Sequence, residues 1–251
     1  MTFDPSVASD HWFFAPPEAW ATDALTLPPD ESHHATRVLR ISPPDVITVT
    51  DGRGTVARCA VAGTSNGELR AEILERERRT PPTPRLVVYQ GAAKGGKLDD
   101  VIERLAELGV AEFWSFEAER SVVVWDESKL ARLNQRWASI ARSAAKQSRS
   151  PFLLEAHAGL AWDRLLVQLA QEPLAVALWE GASLPLRAVL EGRVERVALV
   201  VGPEGGLSRA EAESLADAGA PLVSLGPNIL RTENAAVVAA SALLFHYGLI
   251  G

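Results

Sequence analysis

Cysteine is nearly absent, with one residue, Cys59, in 251. An internal disulfide needs two cysteines and a cysteine metal cluster needs more, so both are excluded. Such usage suits a reducing compartment. Long apolar runs are missing too. No segment reaches the ~20 residues that span a bilayer. The longest stretch, Ala235 to Phe245, contains Ser241 and is followed by His246, which reads as a buried helix. The chain opens Met-Thr-Phe-Asp-Pro, without the basic start of a signal peptide. A cytoplasmic protein with no membrane partner is expected.

What is present is ordinary for a globular chain: 47% apolar and 23% charged residues. The length fits one large domain or two unequal ones. Net charge is −7, which taken alone argues against a nucleic-acid partner. The average hides a gradient. Residues 1–80 carry −4, residues 81–150 carry +2 and residues 151–251 carry −5. Within the middle third, Ser128 to Arg149 holds Lys129, Arg132, Arg136, Arg142, Lys146 and Arg149 and no acid. At 100° per residue these cations share one side of a helix, opposite Leu130, Leu133, Trp137, Ile140 and Ala144. A cationic stripe without acids favours phosphate contact over a merely solvated face.

The run Thr80-Pro81-Pro82-Thr83-Pro84 marks a stiff connector, and domains are expected at 1–79 and 80–251. Before it come strands and turns: Val46–Thr50, Thr55–Ala62 and Glu68–Leu74, joined by Asp51-Gly52-Arg53-Gly54 and Ser65-Asn66-Gly67. One helix is predicted from an Asp30 cap through Arg40. A small β-barrel or β-sheet module results. After the prolines, strands and helices alternate. Strands are expected at Leu86–Gln90, Glu112–Phe116, Leu174–Trp179, Val197–Val201 and Leu222–Leu225. Helices are expected at Leu98–Leu108, Glu127–Arg149, Ser208–Ala218 and Glu233–Tyr247. That rhythm predicts an α/β fold on a mainly parallel sheet.

Ligands in such sheets bind beyond the carboxyl ends of the strands, and three loops there are unusual. Gly202-Pro203-Glu204-Gly205-Gly206 follows an apolar strand; its spacing is neither the dinucleotide nor the phosphate-loop fingerprint, which argues against a nucleotide-dependent enzyme. Leu225 to Ala235 is longer than a plain turn and carries Ile229, Leu230, Arg231 and Thr232. It reads either as a site or as a Thr232-capped helix with Ile229 and Leu230 in the core. Trp179-Glu180-Gly181 is the third. His33 and His34 lack an acid or cysteine at ligand spacing, so no metal is expected. They sit near Arg37 and Arg40, a second candidate for phosphate contact.

These segments resemble one family. His33-His34 with Val38-Leu39-Arg40, Glu107-Leu108-Gly109-Val110, Glu119-Arg120-Ser121, Lys146-Gln147-Ser148-Arg149, Gly202 to Gly206 and Leu225-Gly226-Pro227-x-Ile229-Leu230-Arg231-Thr232-Glu233 occur in the order of the bacterial RsmE family. Its members are 16S ribosomal RNA uridine-N3 methyltransferases of the SPOUT class. The resemblance implies an N-terminal PUA-like β-barrel, a C-terminal α/β domain with a trefoil knot, S-adenosyl-L-methionine as cofactor and a homodimer acting on the small ribosomal subunit. It implies cofactor contacts from Leu178, Glu180, Gly202, Pro203, Glu204, Gly205, Gly206, Leu225, Gly226, Ile229, Leu230, Thr232 and Ala235. Arg231 is the first candidate to stabilise the uracil anion and Arg120 the second. Glu204 either accepts the proton or holds its loop. RNA contacts are expected from His33, Arg37, Arg40, Arg132, Arg136, Arg142, Lys146 and Arg149. Two positions depart from the family: Asn228 stands where arginine is usual, and Asn234 where threonine is usual. The first removes a cation and leaves a second reading open, a non-catalytic RNA-binding assembly factor of the same fold.

Overall fold

A computed structural model describes residues 11–251 except positions 122, 124 and 191. The chain divides into two compact units. One runs up to Pro81 and includes Ala145–Leu153; the other comprises Pro82–Ala144 and Leu154–Gly251.

The first unit is a five-stranded sheet ordered β1-β3-β4-β5-β2, built from β1 (Trp12–Phe14), β2 (Ala24–Thr26), β3 (Val46–Thr50), β4 (Thr55–Ser65) and β5 (Glu68–Arg78). β3, β4 and β5 form an antiparallel meander. Asn66 and Gly67 both take positive φ, 54° and 84°, the pairing that matches a two-residue hairpin to the twist of its strands. Alternating residues Ile47, Val49, Ala57, Cys59 and Val61 point into one core with Phe13, Leu25, Leu27 and Leu69. Burial pushes the Cys59 thiol up to about 12, so it is an inert core residue.

Helix α1 (Pro29–His33) starts earlier than the sequence suggests: Pro28, not Asp30, is the N-cap. The ring of Pro29 presets φ for the first helical position and needs no N–H there. A π turn, His34–Val38, follows, and the chain leaves it through Arg40 at φ 59°. Ser32 Oγ donates to the Leu27 carbonyl and accepts from Leu69 N–H, each at 2.9 Å, which ties α1 to β5.

The second unit is a six-stranded sheet, β11-β9-β10-β6-β7-β8, parallel throughout. In chain order it comprises β6 (Arg85–Gly91), α2 (Lys97–Glu107), β7 (Glu112–Phe116), α3 (Glu127–Ser148), β8 (Glu155–Leu160) and α4 (Trp162–Leu169). Then come β9 (Ala175–Leu178), β10 (Arg196–Val201), α5 (Arg209–Asp217), β11 (Leu222–Val223) and α6 (Thr232–His246). Both faces are covered, as parallel sheets require. Leu86 and Val88 pack with α2, α3 and α6, while Val87 and Tyr89 pack with α4 and α5. β7 and β8 extend the sheet on one side of β6; the chain then crosses to β9, returns to β10 beside β6 and ends at β11 on the far edge, so the switch point lies between β6 and β10. β8 and α4, six and eight residues long, fall outside the sequence expectation. β11 has two residues rather than four, because Ser224 and Leu225 turn away into the pocket loop.

Helix α3 buries Trp137 and Ala144, but its outer side is not a uniform row of unspent cations. Arg136 Nη2 pairs with Asp99 at 2.7 Å, and Trp137 Nε1 donates to the same carboxylate at 3.0 Å. Lys146 Nζ pairs at 2.8 Å with the buried Glu31.

Candidate active site

Four strand ends converge on the carboxyl edge beside the switch point. β9 runs into Trp179, β10 into Gly202, β11 into Ser224, and β6 into the turn that begins α2. Between them lies a pocket of about 470 Å³, within the range that holds a cofactor-sized molecule. Leu178, Leu225 and Leu230 give it apolar wall. Glu180, Glu204 and Glu233 face Lys97 and Arg231 as its charged groups, three acids to two bases.

Local chemistry fixes each loop. Pro203 lies so near β6 that a Cβ on Gly91 would sit 2.4 Å from its nitrogen, so only glycine lets the loop pass. The far end of the loop is anchored by a capping box at α5: Ser208 N–H donates to Glu211 Oε2 at 2.8 Å, and Glu211 N–H donates to Ser208 Oγ at 3.3 Å. Glu211 Oε1 also accepts from Glu119 N–H at 2.7 Å, which brings the Glu119-Arg120-Ser121 segment against the same loop.

Arg231 is the N-cap of α6, and Thr232 is its first helical residue. Thr232 therefore does not cap the helix; its hydroxyl instead donates to the Gly202 carbonyl at 2.6 Å and joins the two loops. Ile229 is 85% exposed at the pocket mouth rather than in the core. Arg231 and Glu204 both line the pocket. Arg120 is not among the lining residues; its Nη1 stands 3.5 Å from the Gly205 carbonyl, and its Cβ backs onto Gly205. Every other expected cofactor contact lines the pocket, Gly205 alone being absent from the lining. The RNA-contact candidates His33, Arg37, Arg40, Arg132 and Arg149 are exposed and Arg142 is half-buried, while Arg136 and Lys146 are held by acids.

Sequence reading missed Lys97. Its Nζ pairs with Glu204 Oε1 at 2.8 Å, and that hydrogen bond raises the ammonium above its ordinary value, so it stays a cation across the physiological range. The signal was there: Lys94-Gly95-Gly96-Lys97 is a glycine turn after a strand at the same sheet edge. Glu233 was missed as well. Its Oε2 is buried on the pocket wall without a hydrogen-bond partner among the described residues. A buried acceptor without a donor is costly, so this wall suits a ligand that brings positive charge or N–H groups.

An all-parallel sheet with glycine-bearing loops closing over a pocket at its switch point defines an α/β protein that holds a small organic cofactor beyond its strand ends. Residues 80–244 match the RNA methyltransferase domain, and residues 27–74 match the RNA methyltransferase PUA domain. Over 219 residues the chain is 36% identical to ribosomal RNA small subunit methyltransferase E of Mycobacterium bovis, covering 85% of this chain and 83% of that protein. The Bacillus subtilis protein of that name is 31% identical over 233 residues, covering 88% and 90%. A Legionella pneumophila protein assigned as a methyltransferase and solved with bound SAM superposes with TM-score 0.85 at 28% identity, covering 94% of this chain and 97% of that one. The chain belongs to the RNA methyltransferase family.

Proposed function

We propose that this protein transfers a methyl group from S-adenosyl-L-methionine to N3 of a uridine in 16S ribosomal RNA of the small ribosomal subunit, in the cytoplasm and as a homodimer. One observation carries the reading: an arginine, Arg231, stands on the rim of an acid-lined pocket made by the two glycine-bearing loops. The pocket suits a cationic cofactor, since its acids outnumber its bases and Glu233 offers an unused buried acceptor. Leu178, Leu225 and Leu230 would hold the flat adenine and the methylene carbons beside the sulfonium. Peptide groups of Gly202 and Gly226 would meet the adenine edge, and Glu180 and Glu233 the positive charge. Bound there, the cofactor supplies a methyl group already activated by its sulfonium.

The chain's own residues then have three tasks. They position the nucleophile beside the methyl group, which converts a bimolecular step into a local one. They stabilise charge: once N3 loses its proton, negative charge spreads onto the uracil oxygens, and the Arg231 guanidinium is the donor placed to meet it. They take the proton, for which Glu204 is the available carboxylate. Lys97 is held as a cation by Glu204, so it is not the base; it orients that carboxylate. The target base must leave its stack to reach the pocket, a cost of a few kcal/mol that RNA contacts offset. Arg37 and Arg40 in the first unit, with Arg132, Arg142 and Arg149 of the α3 segment, supply phosphate contacts in this account.

The C-terminal trefoil knot implied by the family fits the close passage of Pro203 beside Gly91 and the Thr232–Gly202 bond between neighbouring loops. A second copy fits α6, which is apolar around its circumference and exposes Val238 and Phe245, seven residues apart on one face. Asn228 on the pocket wall favours the assembly-factor reading, but Arg231 still supplies a guanidinium at the site without it. Calorimetry distinguishes the two. The catalytic reading expects one S-adenosyl-L-methionine bound per chain and none in Leu225→Arg, which drives a cation into the apolar wall. Absence of binding by the native chain, or equal binding by the variant, rules the reading out.

A further inference from the structure

β6 is apolar on its helix-packed face until its last residue but one. Leu86 and Val88 pack with α2, α3 and α6; Gln90, next on that face, is fully buried and polar. Its Nε2 donates to Thr232 Oγ1 at 3.1 Å and to the Thr232 carbonyl at 3.3 Å. Its Oε1 is buried with no hydrogen-bond partner among the described residues. Half of this amide is therefore left unsatisfied, a cost that an apolar residue of the same length would avoid. What the amide provides is its N–H group.

The direction of the chain of bonds is fixed. Thr232 has one hydroxyl proton, and it goes to the Gly202 carbonyl at 2.6 Å. The same oxygen can therefore only accept on its other side, and the Thr232 carbonyl can only accept. Both face Gln90, so position 90 must be a donor. Thr232 directly follows Arg231, whose side chain makes no cap hydrogen bond of its own. Through this relay, β6 holds the first turn of α6, and with it the backbone that carries Arg231, against the glycine loop.

We propose that Gln90 is a positioning residue for methyl transfer, an obligate hydrogen-bond donor that sets Arg231 through Thr232. This rests on the methyltransferase reading above. Gln90→Met keeps length and burial but loses the donor; Gln90→Glu keeps shape and sets a carboxylate against two acceptors. Gln90→Met should lower kcat at least tenfold with the cofactor KM within about threefold, since the Thr232–Gly202 bond survives. Gln90→Glu should fall further. In the cofactor-free protein, hydrogen exchange at Asn234 and Ala235, whose N–H groups bond the Arg231 carbonyl, should quicken about tenfold in both. Thr232→Val, which loses the Gly202 bond as well as the acceptor for Gln90, should lower kcat at least as far as Gln90→Met, and Thr232→Ser, which keeps a hydroxyl for both bonds, should stand clearly above Thr232→Val. The Thr232 pair decides the matter if the Gln90 variants do not fold. Native kcat in the Gln90 variants, Gln90→Glu outperforming Gln90→Met, or equal behaviour of Thr232→Ser and Thr232→Val would overturn the assignment. A native chain that methylates no RNA removes the methyltransferase reading and this role with it; an active native chain with unaffected variants removes only the role of Gln90.

Discussion

Replacing Arg231 by alanine removes a guanidinium and nothing that builds the helix. Helix α6 begins on backbone bonds, from Asn234 N–H at 2.9 Å and Ala235 N–H at 2.8 Å, to the Arg231 carbonyl, and these survive the change. The pocket loops stay joined through Thr232. The loss is therefore confined to charge stabilisation. Removing one preorganised donor from a developing anion costs roughly 100- to 1,000-fold in rate. Arg231 is exposed, so water compensates in part and the lower figure applies, about 100-fold or about 2.7 kcal/mol. Single-turnover methyl transfer at saturating cofactor measures the step, and calorimetry measures cofactor affinity beside it. The expected result is a hundredfold slower transfer with Kd changed less than about twofold. Arg231→Lys restores charge without the planar fork and recovers the rate only partly. Full turnover by the alanine variant refutes the role of the arginine; equal losses in rate and affinity would make it a cofactor ligand instead.

Gly91→Ala forces a methyl group into the backbone of Pro203, which has no room to yield. Overpacking of this kind costs about 3 kcal/mol, and thermal denaturation should show a fall on the order of 6–12 °C. An unchanged melting temperature contradicts the close passage. At Glu112, burial alone would raise the carboxyl, but hydrogen bonds from Arg196 and Trp114 and the Arg196 charge outweigh it and hold the group below its usual value. A depressed folded value means stabilisation that is present above the unfolded value of 4.5 and lost as pH falls through the folded one. Glu112→Gln should therefore cost about 1–2 kcal/mol at neutral pH, and the gap in denaturant titrations should close below pH 4.5; a pH-independent gap tells against the ion pair. Arg37→Ala should weaken RNA binding and lower its salt slope by about 0.7–0.9. Arg136→Ala should leave the slope nearly unchanged, because Asp99 already holds that side chain; equal effects of the two would remove the distinction.

The pocket was largely legible in the sequence, because glycine, proline and a long strand-to-helix connection stand out against apolar strands. Arg231, Glu204 and the lining loops follow from that contrast. Gln90 does not, since one polar residue closing an apolar strand looks like a strand end until its partner across 142 residues is known. For Lys97 the glycine turn before it marks the sheet edge, but its partner Glu204, 107 residues on, is visible only in the fold. In the fold, β1 and β2 have three residues each, too few for a period to show, and they exist because β3 and β5 offer ladder partners. Ala145–Leu153 packs with the first unit although no composition break marks it. Its ties are long-range: Arg53 bridges to Phe152, and Lys146 to Glu31. Charge counting found the cations of α3 but not the acids, Asp99 and Glu31, that tertiary structure brings to them.

The central claim is tested most directly by supplying the purified protein and isotopically labelled S-adenosyl-L-methionine to small ribosomal subunits that lack the modification, then locating the label in nuclease digests by mass spectrometry. One labelled methyl group is expected, on N3 of a single uridine of the 16S RNA. Label on a ribose, on another base, or nowhere would contradict it.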